Sequence, residues 1–222
     1  AEISTDGIVN IYTSTQAPFG VKEEISKAFN IPEGKVIVHT PLVGGAFGGK
    51  ASVHLEFLAY MASYKAGGRM VRITNTREQD ISSFPCKLGT EGRVKIGATR
   101  QGKILALEAT YFSDCGAYAD TGPRMSRAMA TDCSGPYNIP NVHADAFSLY
   151  TNHNYSTSYR GFGHGASTYG IEGAIEKLAK KLNMDALDLR KINAIGQGDT
   201  SPTGVNISLS NTGDLKACLD KL

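Results

Sequence analysis

An α+β architecture, with mixed sheets and packed helices, is the fold class this sequence predicts. Two patterns carry the prediction. Some apolar segments alternate with period two and others recur with period 3.6. These segments follow one another in mixed order, with a hairpin among them, and lack the regular strand–helix alternation of a parallel sheet. Composition agrees, since 222 residues with 41% hydrophobic and 20% charged side chains can bury a sizeable core.

The first element is a strand over Ile8 to Thr13, and Pro18 opens a helix running through Val21, Ile25 and Phe29. Proline suits a first helical turn because its missing N–H is not needed there. Val36 to His39 is a second strand, followed by a helix over Ala51 to Ala66 with Leu55, Leu58, Ala59 and Ala62 on one face. Gly67-Gly68 ends that helix. Val71 to Ile73 reads as a short strand, and Arg93–Thr99 and Ile104–Ser113 form a hairpin around Gln101-Gly102. Val142 to Tyr150 is another strand. Thr168 to Leu182 is a long amphipathic helix with Ile171, Ala174, Ile175 and Leu178 as its core stripe. Asp185 to Ile192 makes a short helix, Gly196 to Thr212 a long loop, and Asp214 starts a last helix.

Several function classes drop out. A net charge of +2 with no Lys/Arg-rich run gives nucleic acid no footprint. No apolar run is long enough to span a membrane. Cys86, Cys115, Cys133 and Cys218 are scattered without a C-x-x-C pair. That argues against an Fe–S or structural zinc site within the chain and for a reducing, cytoplasmic setting. His39, His54, His143, His153 and His164 lack H-E-x-x-H spacing, so surface or satisfied core roles are expected for most. The chain opens on Ala1 without an initiator Met, so it is expected to begin inside a longer reading frame.

Four segments carry chemistry. Gly44-Gly45-Ala46-Phe47-Gly48-Gly49-Lys50 holds four glycines in seven residues, between a strand and an expected helix. Such density lets something approach the main chain, and amides at a helix start favour an anion or an oxo group; a tight packing turn is the alternative. The segment nearly matches a P-loop, but Ala51 replaces the hydroxyl that would hold Mg²⁺. Gly161-Phe162-Gly163-His164-Gly165 likewise lacks the third glycine of a dinucleotide fingerprint. Gln16, at the end of the first strand, is either an amide donor to a ligand oxygen or a turn residue. Arg124 and Arg127 are either solvated loop cations or anchors for an anionic intermediate. Arg160 and Phe162 lie in a second glycine-rich turn, where an aromatic suits a stacking wall.

Taken together, these segments resemble the molybdenum hydroxylases, the xanthine dehydrogenase and aldehyde oxidase family. The resemblance includes Ser14-Thr15-Gln16, the loop Gly44 to Lys50, Arg127-Ala128, and Gly135 to Val142. It continues through Arg160 to Gly163, Leu182 to Arg190, Asn193 and Gly198-Asp199, in order along essentially the whole chain. It implies that residues 1–222 are the first molybdenum-binding region of a larger subunit. Two α+β subdomains are expected, about 1–90 with a returning C-terminal part, and 91–165.

The resemblance implies Mo-molybdopterin as cofactor, with the cytosine dinucleotide as a candidate form. Fe–S clusters and FAD would sit on other chains or domains. The partners implied are the remaining molybdenum-binding domain or subunit, Fe–S and flavin subunits, and a small-molecule substrate. The reaction implied is insertion of water-derived oxygen at an electron-poor carbon. By the family pattern Gln16 would hydrogen-bond a molybdenum oxygen, and Gly45, Ala46, Phe47 and Gly48 would bring backbone to the cofactor. Arg160 would hold the pterin side, while Arg127 and Phe162 would meet substrate. No side chain of this chain would ligate the metal directly, and the general-base Glu would lie beyond Leu222, so activity alone is not expected. Two departures stand out. Xanthine-type members carry a Glu where this chain has Ala51, which disfavours xanthine. His164-Gly165-Ala166 stands where members commonly continue Gly-Pro-Gln. An N-heterocycle is therefore the expected substrate, with aldehydes as the alternative.

Overall fold

A computed structural model describes all 222 residues. In chain order the elements are β1 (Glu2–Ile3), β2 (Val9–Tyr12), α1 (Pro18–Phe29), β3 (Val36–His39), α2 (Glu56–Lys65) and α3 (Arg77–Ser83). Next come β4 (Cys86–Lys87), β5 (Gly89–Ala98), β6 (Ile104–Gly116), α4 (Gly122–Thr131), β7 (Asn141–Tyr150) and β8 (Ser156–Thr157). Four helices close the chain: α5 (His164–Leu182), α6 (Ala186–Asn193), α7 (Leu209–Thr212) and α8 (Leu215–Asp220). The α+β class is as expected. The chain divides into two compact units: Ala1–Leu88 with Cys115–Thr121 and Thr151–Arg160, and Gly89–Asp114 with Gly122–Tyr150 and Gly161–Leu222.

In the first unit β2 pairs antiparallel with β1 and parallel with β3, in register Val9↔Val36 to Tyr12↔His39. Parallel strands need a crossover, and α1 supplies it. Its Val21 and Ile25, four residues apart, bury with Val9, Ile11 and Val36, and Phe29, Phe57 and Tyr60 pack against that cluster. Asn30, in the left-handed conformation (φ 52°), ends α1, as Asn183 ends α5. β4 and β8 form a short parallel pair, Cys86↔Ser156 and Lys87↔Thr157.

In the second unit β5, β6 and β7 form a sheet in that order, with β5 and β6 antiparallel from Gly89↔Asp114 to Ala98↔Ile104. Its core is Ile104, Leu107, Ala109, Tyr111, Met125, Met129, Ile171, Ile175 and Leu189, each at most 2% exposed. Each large aliphatic side chain buried this way contributes about 1.5–3 kcal/mol.

Five expectations need correction. The second helix starts at Glu56, not Ala51, because the Glu56 carboxylate accepts the His54 N–H at 2.6 Å and sets a turn there. Its expected apolar face is also displaced: Leu58 is 54% exposed, while Glu56 and Ser63 are buried. Both polar groups are satisfied, Glu56 by the Thr13 hydroxyl and Ser63 by the Arg69 carbonyl. Val71 to Ile73 is not a strand, although Val71 exchanges backbone hydrogen bonds with Ala1. The segment with Arg124 and Arg127 is helical, in α4, and the loop expected over Gly196–Thr212 contains α7.

Candidate functional site

In the first unit the glycine loop is tied down from several sides. Oε1 of Gln16 accepts the Gly48 N–H at 3.1 Å and, more weakly, the Lys50 N–H at 3.4 Å. The Gln16 N–H donates to the Lys50 carbonyl at 3.0 Å. Both neighbours of the side chain are N–H donors, so the amide must face them with its oxygen. Its NH₂ is therefore turned away from the loop, free to donate outward. Behind the loop, Thr15 accepts the Ala17 N–H and donates to the Lys50 carbonyl, and Nζ of Lys50 donates to the Ser14 hydroxyl at 2.9 Å.

Gly48 has φ +98°, and a Cβ there would fall 2.8 Å from the Ser158 carbonyl oxygen. Ser158 in turn donates to the Gly48 carbonyl at 2.9 Å. The need for glycine at 48 is thus met inside the chain. Gly44, by contrast, faces open space. The amides of Gly48, Gly49 and Lys50 are used internally, while those of Gly45, Ala46 and Phe47 make no hydrogen bond within the chain. Phe47 has φ 53° and its ring is 61% exposed. A bulky residue in the left-handed region costs of order 1–3 kcal/mol, and such strain gathers at ligand sites. Because helix α2 begins six residues beyond Lys50, the loop does not sit on a helix N-terminus. Its donors act as individual amides, without the helix dipole that the sequence suggested.

No sequence pattern pointed to His54, which locks the far side of the loop. Nε2 of His54 lies 2.9 Å from the Gly49 carbonyl, an acceptor only, so Nε2 carries the proton. Nδ1 then accepts from the Tyr155 hydroxyl at 3.1 Å. Burial first, then the carboxylates of Asp120 and Glu56, push the Tyr155 phenol up and keep it a donor. Arg160 is exposed, two residues beyond Ser158, which holds the loop.

Arg127 and Phe162 belong to the second unit. Met125, Ser126 and Met129 of α4 face inward, and Arg127 is exposed. Gly161 (φ 93°) and Phe162 (φ 54°) are consecutive left-handed residues that lead into α5. Gly163 follows, where a Cβ would fall 2.2 Å from the Met125 carbonyl oxygen. Only glycine lets α5 start so close to α4, and the contact brings the Phe162 and Arg127 segments side by side. Nδ1 of His164 pairs with Asp132 at 3.2 Å across the same junction.

No cluster of three or more His, Cys, Asp or Glu side chains stands where it could hold a metal ion. No helix is long and apolar enough to cross a membrane. The first unit instead offers an outward primary amide, three unused backbone N–H groups and an exposed guanidinium. That all-donor set suits a group rich in oxo and phosphate oxygens.

Residues 1–194 match the model of the molybdopterin cofactor-binding domain. Among curated relatives, a probable xanthine dehydrogenase component from Bacillus subtilis is 32% identical over 89% of this chain and 26% of its own length. The nicotinate dehydrogenase large molybdopterin subunit of Eubacterium barkeri is 33% identical over 90% of this chain and 47% of its own length. Among solved structures, the aldehyde oxidoreductase of Desulfovibrio gigas superposes with a TM-score of 0.92 at 29% identity. It covers 100% of this chain, which spans 24% of that protein. The chain thus spans about a quarter to a half of these relatives.

Proposed function

The chain belongs to the molybdopterin cofactor-binding domain family of xanthine dehydrogenases and aldehyde oxidoreductases, and from that premise we propose that it forms the cofactor-facing part of a hydroxylase acting on an aromatic N-heterocycle. Bound molybdopterin would supply the redox-active molybdenum at which a C–H bond is oxidised with oxygen derived from water. This chain's own residues bind and orient. Gln16, through its NH₂, the backbone amides of Gly45, Ala46 and Phe47, and Arg160 would hold the cofactor, while Gly48 keeps the loop seated. In the second unit Phe162 stacks on a flat ring and Arg127 stabilises charge that develops on it.

The orientation of Gln16, fixed by two donors on its oxygen side, is the observation that carries the cofactor reading. For substrate class, Ala51 stands where xanthine-type members carry a Glu, which disfavours xanthine. The relative named for nicotinate, a pyridine carboxylate, supports a heterocycle. The general-base Glu, the rest of the molybdenum pocket, Fe–S clusters and FAD are assigned to partner domains or subunits. The cytosine dinucleotide is the proposed form of the pterin. Aldehyde oxidation is the second reading, favoured by the close superposition on an aldehyde oxidoreductase.

Arg127→Met in the assembled enzyme separates the two readings. A hydrogen bond to a charged group is worth about 1.5–3 kcal/mol, so turnover of an N-heterocycle is expected to fall about 10- to 100-fold. Turnover of a neutral aldehyde should change little. Equal losses on both substrates would remove the case for a heterocycle.

A further inference from the structure

The second unit carries a groove of about 590 Å³ between β5 and α5, apart from every residue assigned above. Thr90, Gly92, Val94 and Ile96, alternate residues of β5, line one wall, and α5 forms the other. The helix comes close at Gly170, where a Cβ would fall 2.9 Å from Val94, and the space opens at Gly173, where a Cβ would meet nothing within 4 Å. Tyr111 lines the groove at 1% exposure, and its hydroxyl has no hydrogen-bond partner. Lys177 and Lys181 also line it, with no carboxylate among the lining residues. β5 is the outer strand of its sheet.

These features define one kind of occupant. An outer strand offers unpaired backbone groups to another strand. A narrow groove beside glycines admits an extended chain, the phenol calls for one polar partner, and the lysines call for an acid. The chain spans 24% of the aldehyde oxidoreductase it superposes on and 26% of the Bacillus subtilis relative, so most of such a protein lies elsewhere. We infer that this groove docks an extended, acid-bearing segment of the remaining molybdenum-binding portion, added beside β5. The inference rests on the reading that the chain works within such a larger assembly.

Gly173→Leu tests it cleanly, because the new side chain enters open space and leucine is a better helix former than glycine. Thermal unfolding of the 222-residue chain should be unchanged or raised, while its affinity for the remaining portion falls at least 10-fold. In the assembled enzyme, a photo-crosslinking benzophenone amino acid in place of Tyr169, which is 84% exposed on the groove wall, should join to a peptide of the remaining molybdenum-binding portion. Crosslinks to a second copy of this chain or to an Fe–S or flavin subunit, no crosslink at all, or wild-type affinity of Gly173→Leu would each overturn it. Molybdenum content of the same preparation reports separately on the cofactor reading, so normal content without the crosslink would sink the docking surface alone.

Discussion

On the proposed reading Gln16 does two things with opposite ends of one amide, and a pair of substitutions separates them. Its oxygen anchors the loop through N–H···O bonds of 3.1 and 3.4 Å; its NH₂ would help hold the cofactor. In Gln16→Ala both ends are lost. The freed Gly48 and Lys50 amides are near the surface and can turn to water. The stability loss should therefore be that of one good hydrogen bond, about 0.5–1.5 kcal/mol. Turnover should fall far more, because one preorganised donor to developing charge is worth about 10²–10³ in rate, or about 3–4 kcal/mol. In Gln16→Glu the carboxylate accepts the same two loop amides, so the fold should be kept. Its outward atom, however, is now an acceptor with negative charge. The turnover loss should then match or exceed that of Gln16→Ala. The assay is steady-state turnover of the assembled enzyme, with urea unfolding of the chain for stability. If Gln16→Glu turns over near the wild-type rate, or if loss of activity tracks loss of stability in both variants, the outward donor is refuted and Gln16 is a turn residue.

Two further outcomes concern the fold. Asn193 is fully buried, accepts the Ile104 N–H at 2.9 Å and donates to the carbonyls of Gly102 at 2.8 Å and Leu189 at 2.9 Å. Asn193→Ala should cost about 3 kcal/mol or more in urea unfolding, and a loss below about 1 kcal/mol would contradict that network. The Tyr111 phenol is pushed up to about 12, chiefly by burial, against about 10 in an unfolded chain. The folded state thus holds this proton more tightly, and its contribution is full below about pH 10 and lost as pH rises through about 12. Tyr111→Phe removes a hydroxyl without a partner, so stability of the isolated chain at pH 7 should hold or rise, and the alkaline loss should shrink. A drop of more than about 1.5 kcal/mol at pH 7 would mean the hydroxyl is bonded after all.

Elements with one strong local signal were legible in the sequence. Pro18 with apolar residues at four-residue spacing placed α1, and Ile171 and Ile175, both at 0% exposure, fixed the face of α5. Elements that draw on distant partners were not. The inward face of α4 includes Ser126, bonded to the Gly122 carbonyl and to Ser148, so its stripe is not purely apolar and Gly122-Pro123 reads as a turn. β4 and β8 are two-residue strands seventy positions apart in register, too short for any pattern. One missed element did carry a signal, because Thr76 and Gln79 form a capping box at the start of α3. At the site the residue types were legible and their orientations were not. Which end of Gln16 faces the loop depends on Gly48 and Lys50, and the role of His54 depends on Tyr155, 101 residues away.

Phe47 and Phe162 share the left-handed backbone conformation. Each has a positive φ near 50° and each is followed by a glycine that seats the chain against a neighbour, Gly48 on the Ser158 carbonyl and Gly163 on the Met125 carbonyl. The glycine needs no cofactor to explain it, since any side chain there would collide within its own unit. The aromatic does need another account. A smaller residue, or Asn as at Asn30 and Asn183, would adopt the left-handed region at less cost. Phe47, 61% exposed, is aimed by the backbone and not by its own burial, whereas Phe162 is half-buried. In both loops, then, the glycines hold the position, and on the proposed reading the strained phenylalanine would meet the ligand. This is the order of roles that the proposed function calls for, with a flat cofactor or substrate against the ring.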